Sequence, residues 1–373
     1  MSITACLDKV QDYRNKRGQR YSISSIIKLI VAGLLYNKNN LKAISRFGKS
    51  LNKKERELLG FNRGSVLCYS NLTIIIRKIT LESLHDAISS LITYIAKAHQ
   101  GIYRVLHVDG KTLKSSNSYG SNSQTQILSA FSSQINSMVC FEKIDNKNEY
   151  QAMLQLLSEH DIEDKILTAD AAFCHESVCQ KTIDEGGDFA FSLKANEGKL
   201  YYYSSKEFNK PEKSKEIRRF TEDIDLQHGR VEKRSIEVMD MPFSYLNGFR
   251  HIKQICKITR EREQKCHKDS SNREIAFMIT SLSKEDFTPE SLLKLNRSHW
   301  CCENNLNWIK DEVFGEDKST ISTGNAPLVM SVLRSIAISF ISTISNKITE
   351  TREMFSNYRG KLFKLFTVKE NDF

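Results

Sequence analysis

Two short apolar runs that each lead into an aspartate constrain this 373-residue chain more than any other feature. Residues 104–109 (RVLHVD) end in Asp109, and residues 165–169 (KILTA) are followed by Asp170. Further strands are predicted at 126–132, 137–142 and 188–193, and helices at 147–159 and 176–186. The order β-β-β-α-β-α-β predicts a mixed α/β sheet covered by helices on both faces.

The two aspartates predict a divalent-cation site. Chemistry in an open α/β sheet collects at the carboxyl ends of strands, and the order of the elements makes the first and fourth strands neighbours. Asp109 and Asp170 should then converge, and two facing carboxylates repel unless a cation or a proton lies between them. Mg²⁺ accepts oxygen ligands and is typically held by carboxylates plus substrate phosphate. The alternative is that each aspartate only caps a helix or a turn.

A third acid comes from the helical pattern at 297–311 (RSHWCCENNLNWIKD). Helical spacing places His299, Glu303 and Lys310 on one face. Glu303 would complete the metal ligands, while His299 and Lys310 would contact the phosphate groups of a substrate held at the metal. The alternative is an exposed amphipathic helix with an ordinary salt bridge.

Both tryptophans of the chain, Trp300 and Trp308, lie in this same segment. Trp300 either stacks on a displaced base or packs within the protein. For Trp308, packing in the core explains the residue as well as any function does.

The charge of the chain is concentrated near its beginning. Residues 1–100 contain 17 Lys and Arg against 6 Asp and Glu, a net charge of +11, whereas the whole chain carries +10. A basic part beside a neutral remainder is typical of a protein that holds a polyanion such as nucleic acid. A solubilising basic surface is the other interpretation.

The cysteines and the apolar segments bear on the compartment. Nine cysteines without a C-x-x-C pair argue against disulfides and structural zinc, and the run Cys174-His175-x-x-x-Cys179 is interpreted as buried reduced thiols rather than a partial metal site. No signal-peptide pattern is present, and the most apolar stretch, 26–35, contains Lys28 and is too short to span a bilayer. A cytoplasmic, nucleoid-associated protein with no membrane partner is therefore expected.

Six motifs in sequence order resemble the blocks of one known family. They are VDGKT (108–112), KNEY (147–150), LTADAAF (167–173), SLKANEGKL (192–200), HGRVEKR (228–234) and HWCCENNLNWIKDEVFGED (299–317). The chain resembles bacterial insertion-sequence DDE transposases of the ISAs type, which include the H-repeat-associated proteins. The similarity extends to the stretch 12–35, which resembles the family's helical leader domain. Three positions depart from the family pattern, namely His175, Glu197 and Cys302.

The resemblance implies an α/β fold with an RNase H-like (retroviral-integrase-like) catalytic domain, a β-rich insertion and an N-terminal helical domain. The expected regions are a basic helical DNA-binding domain (1–100), the first part of the catalytic domain (101–197), the β-rich insertion (198–287), C-terminal helices that complete the catalytic domain (288–346), and a peripheral basic tail (347–373). Within the insertion, strands are predicted at 230–239, 250–259 and 274–282.

The resemblance also implies the residues that act. Asp109, Asp170 and Glu303 would be the catalytic acids and the ligands of two Mg²⁺ ions, for which Mn²⁺ could substitute. The side chains expected to hold DNA are Lys111, Lys194, Asn196, His228, Arg230, Arg297, His299, Trp300 and Lys310. Water would attack the phosphodiester at a transposon end, and the freed 3′-hydroxyl would then attack target DNA. The expected partners are double-stranded DNA, as terminal inverted repeats and target, and a second copy of the chain.

Two other functions fit the same residues. The first is a catalytically inactive, transposase-derived DNA-binding protein, which would bind DNA in a salt-sensitive way without nicking it. The second is a stand-alone nuclease, which would cut DNA without joining it.

Overall fold

The computed structural model of the protein describes residues 3–98, 103–114, 124–144, 148–211, 215–225, 230–241, 249–264 and 267–367. The helices are α1 (Ile23–Leu35), α2 (Leu41–Lys49), α3 (Lys53–Leu58), α4 (Tyr69–Ile76), α5 (Leu81–Ala98), α6 (Glu149–Glu159), α7 (Glu176–Asp184), α8 (Gly198–Glu207), α9 (Pro289–Ser298), α10 (Ala326–Ser342), α11 (Ile348–Asn357) and α12 (Arg359–Lys364). The strands are β1 (Val105–Thr112), β2 (Gln126–Ser132), β3 (Ser137–Ile144), β4 (Ile166–Ala169), β5 (Asp188–Leu193), β6 (Arg218–Thr221), β7 (Arg230–Asp240), β8 (Gln254–Gln264) and β9 (His267–Thr280).

The chain divides into two compact units. The first consists of Met1–Tyr103, Gly110–Asn148 and Cys302–Phe373, and the second of Arg104–Asp109 and Glu149–Cys301. The predicted N-terminal helical region therefore shares its compact unit with the β2–β3 hairpin and with the C-terminal helices.

Apolar residues at helical spacing predict helices near 22–36, 40–48, 69–79 and 81–98, and α1, α2, α4 and α5 lie close to these ranges. Side chains cap the first two of these helices. The side chain of Ser22 accepts a hydrogen bond from the backbone of Ser25 at the start of α1, and Asn40 does the same for Ala43 at the start of α2. Such side chains satisfy backbone N–H groups that have no partner within the helix. Helix α3 was not predicted from the sequence because six residues are too few to show a helical period.

The core of the first unit is built around α10. Residues 326–341 of this helix are all buried, which is typical of a helix that is packed on every side. It packs against α1 and β3, and α5 also packs against β3. The apolar pattern predicted for the helical regions is confirmed here.

The expectation of a peripheral tail at 347–373 is wrong for residues 348–367, which are described. They form α11 and α12, in which Arg352, Phe355 and Leu362 are almost fully buried. Arg352 donates to the backbone carbonyl of Leu34 at 3.0 and 2.9 Å. Basic residues suggested an exposed tail, but the guanidinium of Arg352 is buried because backbone oxygens satisfy it.

The second unit contains a mixed sheet. Its strand order is β1-β4-β5-β9-β8-β7-β6, with β1, β4 and β5 parallel and the remaining pairs antiparallel. Helix α9 packs against β6 and β7, and α7 packs against β5. The mixed α/β architecture is thus confirmed, and so is the pairing of the first strand with the fourth. The finer assignment to the RNase H-like fold stays a prediction.

The β-rich region differs in detail from the prediction. Its strands pair with β5 through β9, so they extend the same sheet within the second unit. The predicted strands at 250–259 and 274–282 are found at Gln254–Gln264 and His267–Thr280. Helix α8 lies within the region 198–287 that was expected to be β-rich; Leu200, Ser204 and Glu207 recur at helical spacing and are buried.

Apolar spacing predicts one helix from 289 to 314, but the hydrogen-bonding pattern of the backbone changes along this segment. Helix α9 ends at Ser298, and Glu303–Asn307 and Ile309–Val313 are π-helical. Within the described ranges, no helix combines the length and the hydropathy needed to cross a bilayer.

Candidate active site

Asp109 and Asp170 occupy neighbouring positions on two parallel strands. Val108 of β1 pairs with Ala169 of β4, so each aspartate is the next residue along its chain. Parallel strands lie about 4.8 Å apart, which places the two backbone positions within reach of one shared cation. Asp109 is half-buried and Asp170 is exposed. The structure thus brings together the two acids of the second unit that the sequence singled out.

Asp170 does not behave as a helix cap. It precedes the short 3₁₀ helix Ala171–Phe173, yet its side chain makes no capping hydrogen bond. The capping alternative therefore has no support at this position. Asn196 acts beside it, since its side-chain amide donates to the carbonyl of Ala171 at 2.7 Å. Asn196 was expected to hold DNA, and here it braces the backbone that follows Asp170.

Three polar side chains near the acid pair are linked by hydrogen bonds, and two of them come two residues before Asp109 and Asp170. Nδ1 of His107 lies 2.8 Å from Oγ1 of Thr168, and the same oxygen lies 3.0 Å from Nδ1 of His299. Side chains two residues apart share a face of a strand, so His107 and Thr168 lie on the same face as Asp109 and Asp170. Sequence reasoning missed His107 and Thr168, although their place two residues before each acid could have pointed to them.

His107 and His299, the two histidines of this hydrogen-bonded group, are held neutral. Burial, together with the neighbouring His299, lowers the pKa of His107 to about 3. Burial also lowers the pKa of His299, although Asp170 opposes the shift. The threonine hydroxyl has one proton, so it donates to one ring and accepts from the other. One histidine must therefore carry its proton on Nδ1 and the other on Nε2.

Glu303 belongs to the first unit and begins the π-helical segment Glu303–Asn307. Its side chain is exposed, and Nδ2 of Asn307 lies 3.4 Å from its Oε2. Single π-helical turns within helices are frequent at functional sites. An exposed carboxylate on such a turn is suited to binding a cation.

Lys310 does not share a face with Glu303, contrary to the prediction. Hydrogen bonds in a π-helix join residues five apart, as the N–H of Trp308 and the carbonyl of Glu303 do here. The turn is wider than in an α-helix, so seven residues no longer amount to two turns. Lys310 is fully buried, with its Nζ 3.4 Å from Oγ of Ser331. It therefore does not contact DNA in this structure.

Lys111 is also engaged inside the protein. Its Nζ lies 2.6 Å from a carboxylate oxygen of Asp311 and 3.2 Å from one of Glu316. Glu316 in turn is 3.1 Å from the guanidinium of Arg334, and both are buried. Lys111 was expected to hold DNA, but its charge is already paired with these two carboxylates.

The remaining predicted DNA contacts differ in exposure. Lys194 is exposed, and Arg297 is exposed but paired with Glu222 at 2.7 Å. Trp300 is 62% exposed, as required for stacking on a base, whereas Trp308 at 54% is not a core residue. His228 lies outside the described residues. Arg230 begins β7, but only its backbone is described.

Two of the departures from the family pattern contact each other. Nδ1 of His175 lies 3.2 Å from Oε1 of Glu197, beside a cavity of about 670 Å³. Cys174 and Cys179 are buried, and burial raises the pKa of Cys174 to about 12 and that of Cys179 well above its usual range. Protonated thiols are poor metal ligands, which supports the interpretation as buried reduced thiols.

Comparison with known proteins identifies the family. The family described as "Transposase DDE domain" matches residues 100–340, and a second, described as "DDE_Tnp_1-associated", matches residues 4–92. The chain belongs to the DDE transposase family. This confirms the membership predicted from the six motifs.

Relatives of this DDE transposase occur in Escherichia coli. It is 28% identical over 350 residues to "Putative protein YbfL" of strain K12, with 89% of this chain and 88% of the relative covered. It is also 28% identical over 349 residues to "H repeat-associated putative transposase YhhI" of the same strain, with the same coverage. A solved structure, "Cryo-EM structure of piggyBac transposase synaptic complex with hairpin DNA (SNHP)", covers 98% of this chain and 76% of its own at 10% identity, and its TM-score of 0.39 is too low to add to the assignment.

Proposed function

We propose that this DDE transposase cuts DNA at transposon ends and joins the freed ends to target DNA at a divalent-cation site formed by Asp109, Asp170 and Glu303. The observation that supports the proposal is that Asp109 of β1 and Asp170, which directly follows β4, each come next after the paired residues Val108 and Ala169. The identity of the third acid rests on the match of HWCCEN to the family motif and on the exposure of Glu303.

The donor set suits Mg²⁺. Carboxylate oxygens are the ligands that Mg²⁺ prefers, and the ion keeps several waters and binds substrate phosphate. A pair of such ions activates the attacking oxygen and stabilises the leaving oxygen. Asp170 contributes a carboxylate that makes no capping hydrogen bond.

The protein's own part in the reaction is positioning. Hydrogen bonds among His107, Thr168 and His299 fix these three side chains close to the acid pair. Both imidazole rings are neutral, so they add no positive charge that would compete with a cation. Asn196 holds the backbone after Asp170. Preorganised ligands of this kind reduce the reorganisation needed when phosphate arrives.

The test is cleavage and strand transfer with DNA carrying the element's terminal inverted repeats, in Mg²⁺ and in Mn²⁺. The parent should nick and join, and Asp109→Ala, Asp170→Ala and Glu303→Ala should lose both activities while still binding DNA. Glu312→Ala, at an exposed acid on the neighbouring π-helical segment Ile309–Val313, is the matched control and should stay active. Nicking that persists in the three variants would refute the assignment.

Two outcomes distinguish the other functions. Salt-sensitive DNA binding without nicking by the parent would favour an inactive DNA-binding protein, and nicking without joining would favour a nuclease. A second readout is independent of activity. A ligand that binds only the folded state stabilises it by mass action, so Mg²⁺ should raise the Tm of the parent more than that of Asp170→Asn.

A further inference from the structure

Helix α2 presents a purely basic face. Lys42, Arg46 and Lys49 follow one another at spacings of four and three, which places them on one side of the helix, and all three are exposed. The helix contains no acidic residue. In the part of the chain that the structure describes, none of the three is paired with a carboxylate. Three adjacent positive charges that have no carboxylate partner are suited to binding a polyanion.

A cleft of about 340 Å³ adjoins this face. Its lining includes Tyr36, Lys38, Arg46, Phe47 and Arg359. The rings of Tyr36 and Phe47 stack with their centroids 4.8 Å apart, and the guanidinium of Arg359 lies 5.2 and 5.8 Å from the same centroids. The ammonium of Lys38 lies 5.4 Å from the ring of Tyr36. The attraction between a cation and the face of an aromatic ring keeps the positive charge in a fixed position.

The C-terminal helices complete this surface. Arg359 begins α12 and donates to the backbone carbonyl of Ser50 at 3.2 Å and to its hydroxyl at 3.3 Å, just after the end of α2, while its guanidinium also lies 3.5 Å from a carboxylate oxygen of Glu55. The preceding helix α11 is fixed to the end of α1 by Arg352, whose guanidinium bonds to the carbonyl of Leu34. Residues more than 300 positions apart in the sequence therefore form one basic surface.

We propose that the α2 face, formed by Lys42, Arg46 and Lys49, together with Lys38 at the adjoining cleft, binds the phosphate backbone of double-stranded DNA. Seven residues of α-helix span about 10 Å. Each strand of DNA carries a charge every 3.4 Å or so along the axis, so three cations over this length can each meet a phosphate. The choice of DNA as the polyanion rests on the proposed function.

The test compares two triple variants of the full chain that change the net charge equally. The first is Lys42→Gln, Arg46→Gln and Lys49→Gln. The control is Lys284→Gln, Lys294→Gln and Lys347→Gln, whose ammonium groups are already paired with carboxylates at 2.8, 2.7 and 3.0 Å. Binding of a labelled duplex is measured by fluorescence anisotropy in EDTA, from 50 to 200 mM salt, and the Tm of each variant checks its fold.

The first triple should weaken binding at least about tenfold and reduce the slope of log K against log salt by about 2.7, since each lost phosphate contact changes it by about 0.9. The control should change affinity less than about twofold. Arg359→Gln, which removes a guanidinium already paired with Glu55, should reduce the slope by less than about 0.9. If the two triple variants weakened duplex binding equally, the α2 face would not be the DNA-binding surface. The proposed cleavage chemistry would be unaffected by that result. A parent that binds no duplex at all would overturn the proposed function as well.

Discussion

Nδ1 of His107 lies 2.8 Å from Oγ1 of Thr168 on the neighbouring parallel strand, and each of these residues is two positions before an aspartate, Asp109 or Asp170. The same hydroxyl reaches His299 at 3.0 Å. The pair therefore couples the strand that carries Asp109 to the strand that carries Asp170. Its role can be tested separately from that of the acids.

Replacing Thr168 with valine should reduce both stability and cleavage. The change keeps the shape of the side chain but leaves two buried imidazole nitrogens without their partner, which costs about 1–3 kcal/mol. Urea unfolding measures the cost, and Thr168→Ser, which retains the hydroxyl, should restore most of it. An unaltered free energy of unfolding in the valine variant would show that the hydroxyl bridge has no energetic role.

The buried His107 should make stability depend on pH. Its pKa is lowered to about 3 in the folded state, against 6.5 when unfolded, so the unfolded chain binds the proton more readily between these values. Stability should be complete above pH 6.5 and fall as the pH decreases from 6.5 towards 3, by up to about 1.4 kcal/mol per pH unit from this group. Denaturant unfolding over this range, compared with His107→Gln, isolates the effect. A variant with the same slope as the parent would contradict it.

The buried ion pair of Glu316 and Arg334 should be sensitive to loss of one partner. Burial by itself would raise the pKa of Glu316, but Lys310, Arg334 and Lys111 lower it to about 2. Glu316→Gln leaves these cations without their carboxylate, and breaking a buried pair in this way costs about 3–5 kcal/mol. Glu350→Gln, which removes the exposed partner of Lys347, should cost at most about 1 kcal/mol. Similar losses in the two variants would show that burial does not govern the pair.

The C-terminal helices should depend on Arg352. Its guanidinium bonds to the carbonyls of Leu34 and Val313 and to Asn39, and it lies 4.0 Å from the centroid of Phe314. Arg352→Met should lower the free energy of unfolding by about 3 kcal/mol, since hydrogen bonds to a charged group contribute about 1.5–3 each. Limited proteolysis should then cut first within residues 348–367. Arg273→Met, at an arginine side chain that is 63% exposed, provides the control and should leave the cleavage pattern unchanged.

Local patterns predicted much of the fold. Helices α1, α2, α4 and α5 and strands β1 to β5 follow from spacing and capping residues, and the pairing of β1 with β4 follows from the order of the elements. The sequence did not reveal the π-helical turns, because its apolar spacing around Trp308 also fits an ordinary α-helix. For that reason Lys310 was placed on the same face as Glu303, although it is buried.

The sequence by itself determined the family, through six ordered motifs, and the association of Asp109 and Asp170 with two apolar strands, although β1 continues past Asp109 to Thr112. Only the tertiary structure decided which charges face solvent. Lys111, Lys310 and Arg352 are basic in the sequence but contact groups of the protein itself: carboxylates for Lys111, a serine hydroxyl for Lys310 and backbone carbonyls for Arg352. Lys42, Arg46 and Lys49, in contrast, stay exposed. The reason is physical. A charged side chain can be buried only where partners from distant segments satisfy it, and the identity of those partners is a property of the folded chain.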